Sequence, residues 1–183
     1  MDDDRFGLGA QGLNDGTIRI RHLVEGDAEA YAAASTDPAV VRFAHLPRRS
    51  YTPELVRQDI RTTIAEGLRT GQLAVLAIAD ADTDDFLGSI VLFELNWATR
   101  RGEVGFWLTP AARGRGVAGR ALRLVLRWCF DRLGLTALAA RTDAANEASR
   151  RVLERAGFRA DGQGSTTAPS GDTVSALHYV RHA

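Results

Sequence analysis

The most chemically suggestive segment of the chain is 103–119, which reads Glu-Val-Gly-Phe-Trp-Leu-Thr-Pro-Ala-Ala-Arg-Gly-Arg-Gly-Val-Ala-Gly. A strand-like run leads through a glycine-containing turn directly into a helical pattern. The first N–H groups of a helix have no intrahelical partner and lie at the positive end of its dipole, so they favour an anion. Gly114 and Gly116 let a phosphate approach the backbone, and Arg113 and Arg115 add positive charge. The segment is therefore a candidate phosphate site.

The glycines Gly114, Gly116 and Gly119 also satisfy the G-x-G-x-x-G pattern of dinucleotide-binding folds. That fingerprint belongs to a βαβ unit in a parallel sheet, with a strand leading straight into the glycines. Here an antiparallel meander comes first, residues 110–113 intervene, and only 64 residues follow Gly119. A dinucleotide-binding oxidoreductase is thus the less favoured interpretation of this loop.

Hydrophobic periodicity and turn residues divide the chain into short strands and amphipathic helices. We predict strands at 17–22, 73–79, 86–95, 103–108, 136–141 and 174–180, and helices at 25–35, 52–69, 116–133 and 146–156. Short links between the second, third and fourth strands indicate an antiparallel meander. Segments 37–51 and 161–172 are predicted loops. Residues 1–16 are predicted to be a flexible N-terminal tail before a single domain at 17–183.

The composition is that of an ordinary globular protein. Of 183 residues, 45% are hydrophobic and 25% are charged, and 23 basic residues balance 23 acidic ones. Without a net positive field, nucleic acid and anionic membranes are disfavoured as partners. No apolar run approaches the roughly 18 residues of a membrane-spanning helix, and the acidic N-terminus is unlike a signal peptide. Because Cys129 is the only cysteine, we expect a cytoplasmic protein without an internal disulfide.

The motifs around the glycine loop resemble those of the GNAT superfamily of acyl-CoA-dependent N-acetyltransferases. Residues 113–118, Arg-Gly-Arg-Gly-Val-Ala, match its [Gln/Arg]-x-x-Gly-x-[Gly/Ala] loop between the fourth strand and the third helix. Blocks at 37–42, 141–149 and 153–158 resemble the RimJ/RimL branch, and the resemblance covers about residues 17–181. It implies an α+β fold of three α/β/α layers with acetyl-CoA, the co-substrate, in a cleft. The central sheet would be mixed, mostly antiparallel, and splayed between strands 4 and 5.

The resemblance also implies how acetyl-CoA is held. Backbone groups around Phe106 to Leu108 would bind the pantetheine arm as a pseudo-strand. The backbone amides of 113–119 would surround the pyrophosphate, and Asn146 would contact the arm from the other side. The implied cofactor-binding residues are Phe106, Trp107, Leu108, Arg113, Gly114, Arg115, Gly116, Val117, Ala118, Gly119, Asn146 and Ser149.

Acetyl transfer to an amine needs a base or a water relay, because the amine must lose a proton before it attacks the thioester. Glu103 lies on the same side of its strand as Gly105 and Trp107, and acidic residues here have been assigned as bases in similar enzymes. The alternative is that Glu103 is a solvated strand-end carboxylate paired with Arg100 or Arg101. Both interpretations fit the sequence.

The leaving thiolate and the developing oxyanion each need a partner. Many superfamily members protonate the thiolate with a Tyr seven residues after the helix-opening Asn, but that position is Leu153 here. Ser149, three residues after Asn146, resembles the Ser of RimJ/RimL-like sequences, although helix capping also accounts for both residues. A backbone N–H near Leu108 is expected to stabilise the tetrahedral oxygen. Glu94 is a weaker candidate base, suited to that role only if it points into the cleft.

These features predict an N-acetyltransferase that moves the acetyl group of acetyl-CoA to a primary amine, with a protein N-terminal α-amine favoured. A small amine, a polyamine or an antibiotic is the alternative acceptor, and a noncatalytic acyl-CoA-binding domain is the alternative from another class. Loops 37–51 and 161–172 are expected to flank the acceptor, as in similar proteins. The histidines lack metal-ligand spacing, so no metal is expected. The protein is expected to be a monomer or a homodimer.

Overall fold

A computed structural model describes residues 6–9 and 11–183. The strands are β1 (Leu13–Asn14), β2 (Ile18–His22), β3 (Ala74–Asp80), β4 (Phe86–Asn96), β5 (Arg101–Leu108), β6 (Ala137–Thr142), β7 (Arg159–Thr167) and β8 (Thr173–His182). The helices are α1 (Ala28–Ser35), α2 (Pro38–Phe43), α3 (Pro53–Asp59), α4 (Ala65–Thr70), α5 (Val117–Arg127) and α6 (Glu147–Arg155). A π-helical turn, Ile60–Ile64, joins α3 to α4, and a second, Trp128–Arg132, extends α5. Single 3-10 turns occupy Glu25–Asp27 and Pro110–Ala112.

The strands form a sheet in the order β1-β2-β3-β4-β5-β6-β8-β7. Neighbouring strands are antiparallel throughout this sheet except for β5 and β6, which run parallel. Helices cover both faces because β3 and β4 are apolar on both sides, as strands at the centre of a three-layer fold must be. The predicted α+β class with a mixed, mostly antiparallel sheet is confirmed.

Each face of the sheet has its own apolar core. On one face, Leu122 and Val125 of α5 pack with Leu76 and Ile90. On the other face, residues of α1 and α3 pack in a second cluster that includes Trp107. Burial of apolar surface contributes about 25 cal/mol per Å² to stability. The two cores therefore hold the sheet firmly between its helical layers, where the site lies. Across the described residues, no helix is both long enough and apolar enough to cross a membrane.

The N-terminal segment differs from the predicted flexible tail wherever the structure describes it. Phe6 is fully buried, with its ring centroid 6.1 Å from that of Trp97 and 6.0 Å from that of Trp128. Leu8 is also buried, and Leu13–Asn14 pairs with β2 as an edge strand. The prediction relied on the lack of periodicity in an Asp- and Gly-rich stretch, and two isolated apolar residues are enough to anchor such a stretch. The remaining part of the tail prediction falls on residues 1–5 and 10, outside the described residues.

Two predicted loops contain regular structure. Segment 37–51 begins with helix α2, whose N-cap Asp37 accepts hydrogen bonds from the N–H groups of Ala39 and Val40 at 3.0 and 3.2 Å. Segment 161–172 belongs largely to β7, which pairs with β8 as an edge hairpin. Strand β7 is mostly exposed, so it lacks the alternating apolar residues from which a strand is recognised.

Candidate active site

The sheet opens between β5 and β6. These two strands pair only over Arg101, Gly102 and Glu103 of β5. Beyond Glu103, β5 continues to Leu108 beside β4 alone, so the other edge of its second half faces a gap. The predicted splay is therefore present, and it lies between β5 and β6 because Leu13–Asn14 forms an additional first strand.

The backbone groups on this edge of β5 can be assigned from the register. Thr109 donates its N–H to the carbonyl of Leu87 at 2.9 Å, and the register with β4 is regular from there to Glu103. Hydrogen-bonding direction alternates along an antiparallel strand, so Phe106 and Leu108 turn their N–H and C=O groups toward the gap. The intervening Trp107 turns its backbone toward β4. An extended arm can therefore bind as a pseudo-strand at Phe106 and Leu108, but not at the backbone of Trp107, which corrects the expected contact.

The same strand separates two groups that the sequence analysis placed at the reaction centre. Leu108 and Glu103 are five residues apart, and an extended strand rises about 3.3 Å per residue, so their Cα atoms lie about 16 Å apart. A base at Glu103 and an oxyanion donor at Leu108 cannot serve the same carbonyl carbon. The gap-facing N–H nearer to Glu103 is that of Phe106, about 10 Å along the strand. Leu108 is better suited to the middle of the arm.

The glycine loop after β5 has the conformation expected of an anion site. Gly114 and Gly116 have φ of +74° and +76°, a region that other residues adopt only with strain. A Cβ at either position would have no neighbouring atom within 4 Å, so the loop is open on its outer side. Gly116 is the N-cap of α5, and the N–H groups of Val117, Ala118 and Gly119 form its first turn without intrahelical acceptors. These residues fit a pyrophosphate.

A cleft of about 460 Å³ lies against the sheet face that is covered by α1–α4. Side chains directly opposite in a register share a face, which places Glu103 beside Phe93 and Gly105 beside Val91 on its floor. The cleft extends across the gap to Asn146 of α6. It therefore connects the open edge of β5 with a pocket large enough for a second substrate.

The carboxylate of Glu103 is buried in this cleft, with 6% of the residue exposed. Arg141 of β6 donates from Nε to its Oε1 at 2.7 Å, and from Nη2 to Glu94 at 3.0 Å. Arg141 also donates to the hydroxyl of Thr166. Burial raises the pKa of Glu103, and the hydrogen bond from Arg141 only partly offsets it. The alternative interpretation, a solvated carboxylate paired with Arg100 or Arg101, is wrong, because Glu103 is buried and paired with Arg141. A buried carboxylate with a raised pKa suits a general base.

Glu94 lies on the solvent side of the same ion pair. Its side chain is 62% exposed, and its φ of +50° marks the irregularity where the β4–β5 register breaks. Glu94 is absent from the cleft lining. Glu94 therefore pairs with Arg141 on its solvent-exposed side. Because Glu94 does not point into the cleft, it does not meet the condition for acting as the base.

Helix α6 brings Asn146 and Ser149 to the cleft wall. Asn146 is the N-cap, and its Oδ1 accepts the N–H of Ser149 at 3.1 Å. The capping bond uses the amide oxygen, so Nδ2 is the group of Asn146 that can donate to a ligand. Leu153, at the position of the superfamily tyrosine, is 1% exposed and has only carbon atoms to offer. Ser149 is thus the hydroxyl that this helix presents to the cleft.

The family model described as an acetyltransferase (GNAT) domain matches residues 17–159. The chain belongs to the GNAT family. It is similar to the probable N-acetyltransferase YjcK of Bacillus subtilis, with 34% identity over 150 residues that cover 80% of this chain and 82% of YjcK. The uncharacterized N-acetyltransferase YoaA of Bacillus subtilis is 29% identical over 148 residues, covering 78% of this chain and 80% of YoaA.

Solved structures of this family share the fold. A putative ribosomal-protein-serine acetyltransferase from Vibrio cholerae superposes with a TM-score of 0.80 at 15% identity, covering 93% of this chain and 97% of that one. RimL, a ribosomal-protein acetyltransferase solved with coenzyme A, superposes with a TM-score of 0.79 at 15% identity and 96% coverage of both chains. The GNAT recognition made from the sequence is confirmed, and the chain is an acyl-CoA-dependent N-acetyltransferase. RimL is among the structures that share its fold.

Two features of this GNAT site, Arg141 and a π-helical turn, were not predicted from the sequence. Arg141 had been noted only as part of a motif block, although an arginine within the apolar strand β6 signals a buried partner. The π-helical turn Ile60–Ile64 directs Thr63 and Ile64 to the cleft, and such turns often mark functional sites. His45, which the sequence offered as a residue that could line an acceptor pocket, has a φ of +47° and lines the cleft. The π turn has no recognisable sequence signature.

Arg113 was expected to add positive charge to the phosphate site, but its guanidinium is already paired with a carboxylate. Its Nη2 lies 2.5 Å from Oδ1 of Asp37 and 3.1 Å from the carbonyl of Leu108. The guanidinium therefore connects the end of β5 to the N-cap of α2, and its charge is balanced by Asp37. Arg113 and Arg115 are both exposed, and Arg113 differs from Arg115 in holding this ion pair with Asp37.

Replacing Arg113 with alanine is expected to lower the free energy of unfolding by about 1 kcal/mol at pH 7. The hydrogen bond from Arg113 is the main reason that the pKa of Asp37 lies below its usual value. A lowered carboxyl pKa stabilises the fold above the unfolded pKa, and this contribution is lost as pH falls through the folded pKa. Urea unfolding of Arg113→Ala and the parent at pH 7 and at pH 3 should show a difference that shrinks at the lower pH. Arg115→Ala, the matched control, should show a smaller pH dependence, because Arg115 lowers the pKa of Asp80 only as a minor contribution beside backbone hydrogen bonds. Equal behaviour of the two variants would contradict the positioning role.

Proposed function

We propose that this enzyme transfers the acetyl group of acetyl-CoA to a protein N-terminal α-amine in the cytoplasm. The observation that carries the proposal is the unpaired edge of β5 at Phe106 and Leu108, which opens into a cleft containing the buried carboxylate of Glu103. A binding surface for an extended arm and a base with a raised pKa thus share one cavity. A purely acyl-CoA-binding domain has no need for a buried carboxylate beside that edge.

The residues around the gap fit acetyl-CoA. Phe106 offers a backbone donor and acceptor to the pantetheine arm, and Leu108 offers its N–H, since its carbonyl already accepts from Arg113. Asn146 offers its amide nitrogen from the opposite wall. The loop 113–119 offers the first N–H groups of α5, together with the charge of Arg115, to the pyrophosphate. When bound, acetyl-CoA supplies an activated acetyl thioester.

The chain's own groups then perform the proton transfers. Glu103 removes a proton from the acceptor ammonium through water, since its carboxylate lies on the floor of the cleft and the thioester arm lies in the gap. The N–H of Phe106 donates to the carbonyl oxygen as negative charge develops on it. Ser149 donates its hydroxyl proton to the departing sulfur and regains a proton from the attacking nitrogen through water. Each group has a single role in this assignment, so each can be removed separately.

A protein acceptor is favoured by the name of one relative. The putative ribosomal N-acetyltransferase YdaF of Bacillus subtilis is 33% identical over 92 residues, about half of each chain. A small-molecule acceptor is the second candidate, because the spermidine N(1)-acetyltransferase of Escherichia coli is 32% identical over 76 residues, covering 42% of this chain and 41% of that enzyme. The two acceptors differ in charge, because a polyamine carries several ammonium groups and a peptide N-terminus carries one.

Release of free CoA thiol from acetyl-CoA tests the proposal directly. Purified protein is incubated with short peptides carrying free N-termini, with polyamines and with aminoglycosides, and thiol release is followed with a chromogenic disulfide. Release that depends on a peptide, with acetylation of its α-amine shown by mass spectrometry, is the expected result. Binding of acetyl-CoA without release from any acceptor would favour the noncatalytic acyl-CoA-binding domain.

A further inference from the structure

The floor of the cleft is apolar away from Glu103. Val91 and Phe93 of β4 lie directly opposite Gly105 and Glu103, and Val75 of β3 lies directly opposite Val91. All three apolar side chains are therefore on the same sheet face as the carboxylate, and all three line the cleft. They extend the floor from Glu103 toward the centre of the sheet.

This apolar floor lies away from the gap that suits the thioester arm. Neighbouring strands are about 4.8 Å apart, so Val91 lies one strand and Val75 two strands from β5, on the side opposite to β6. An arm bound along the open edge of β5 reaches neither side chain. Ile64 from the π turn and Tyr51 cover the same region from above. The enclosed volume is therefore available to the group that carries the acceptor amine.

The charged groups of the cleft are largely paired with one another. Glu103 is bound to Arg141 at 2.7 Å, and Asp59 is bound to Arg48 at 2.7 Å. Of the carboxylates lining the cleft in residues 6–9 and 11–183, Asp143 alone has no ion pair, and its Oδ1 accepts the N–H of Ala145 at 2.7 Å. A polyamine carries several ammonium groups and needs several unpaired carboxylates. The cleft does not provide them.

We propose that the acceptor is a primary amine carried next to a large apolar group, either an N-terminal residue such as Phe or Leu or a free arylalkyl amine. The apolar group would rest on Val75, Val91 and Phe93, and the amine would face Glu103. This inference rests on the proposed function and specifies the substrate class of the same site.

A panel of acceptors distinguishes a peptide N-terminus from a free arylalkyl amine. Values of kcat/KM are measured with acetyl-CoA for a peptide beginning Phe-Ala-Ala, the matched peptide beginning Ser-Ala-Ala, 2-phenylethylamine, ethylamine and spermidine. Burial of an aromatic side chain should favour the Phe peptide over the Ser peptide, and 2-phenylethylamine over ethylamine, by about tenfold or more. The better of the two aromatic acceptors identifies the source as a peptide or a free amine. Calorimetric binding of 2-phenylethylamine to the protein without acetyl-CoA gives a readout that is independent of turnover.

A substitution in the floor tests the same assignment from the protein side. Val91→Asp is expected to lower kcat/KM for the better aromatic acceptor by about tenfold or more and to remove the preference for it. Val41→Asp is the matched control, because Val41 is 59% exposed and does not line the cleft. Equal effects of the two substitutions would overturn the proposal. If Val91→Asp does not fold, the acceptor panel on the parent protein decides the question alone.

Other outcomes of the panel contradict the proposal in distinguishable ways. Spermidine or the Ser peptide used as well as the aromatic acceptors would overturn the apolar assignment while leaving the proposed transferase function in place. A preference for hexanoyl-CoA over acetyl-CoA, without discrimination between the peptides, would assign the apolar volume to the acyl chain instead. Binding of acetyl-CoA with no acetylation of any amine would count against the proposed function, and the acceptor inference would fail with it.

Discussion

Replacing Glu103 with glutamine is expected to lower kcat/KM for the acceptor about 100-fold at pH 7, within the usual range for loss of a general base. Glutamine has nearly the same shape but cannot accept a proton from the acceptor. The pKa of Glu103 is raised by burial, so the activity of the parent should fall as pH drops through that raised value. Glu103→Gln should lose this acidic limb, and the pH profile of kcat/KM measures both effects. The titration of the acceptor amine appears in both profiles and cancels from the comparison.

The carboxylate on the other side of Arg141 provides the control. Glu94→Gln also removes one negative charge from the same arginine, but from its solvent-exposed side. We expect it to change kcat/KM by less than about threefold, since exposed ion pairs contribute little. Ser149→Ala should lower kcat without moving the acidic limb, because a serine hydroxyl does not titrate in this range. A loss of less than threefold in Glu103→Gln, or an unchanged acidic limb, would remove Glu103 from the role of base.

The parts of the fold that were predictable from sequence are those in which local pattern and burial coincide. Helix α5 carries a regular apolar stripe against the sheet, and β3 and β4 are apolar runs between turn signals. Strand β7 fails this test because it is an exposed edge, with polar residues on both sides. Its pairing depends on β8, which supplies a backbone partner whatever the side chains are. A strand that is held by backbone pairing with its neighbour therefore need not show alternating apolar residues in its own sequence.

The candidate site also contains features that local sequence predicts and features that depend on contacts distant in the sequence. Gly114 and Gly116 could be identified because a strand, a glycine turn and a helix start are adjacent in sequence, and their positive φ values agree with that argument. The environment of Glu103 could not be identified from the sequence. Its partner Arg141 is 38 residues away and is brought to it by the short parallel pairing of β5 and β6. The alternation of backbone direction at Phe106 and Trp107 likewise follows from register with β4. Register is a long-range property, so sequence alone could place the cofactor strand without showing which of its residues face the gap.

Replacing Gly116 with alanine is expected to raise the KM for acetyl-CoA about 10- to 100-fold, with a much smaller change in kcat. Gly116 has φ of +76° and is the N-cap of α5. Alanine pays about 1–2 kcal/mol to hold that conformation, so the loop will relax away from it and turn the converging N–H groups from the pyrophosphate. Charge-assisted hydrogen bonds contribute about 1.5–3 kcal/mol each, which corresponds to the expected loss of affinity. Initial-rate kinetics and calorimetric titration with CoA measure the change.

A second glycine with positive φ provides a control for the backbone strain that alanine introduces at Gly116. Gly134 has φ of +69°, and a Cβ there, as at Gly116, would meet no atom within 4 Å. It lies between the end of the α5 segment and β6, outside the glycine loop. Gly134→Ala should therefore lose as much stability in urea as Gly116→Ala, while its affinity for CoA stays at the parent value. If both variants lose affinity equally, the loss comes from destabilisation of the fold, and the pyrophosphate does not depend on the conformation at Gly116. If only Gly116→Ala loses affinity, the left-handed turn before α5 is a direct part of the binding site.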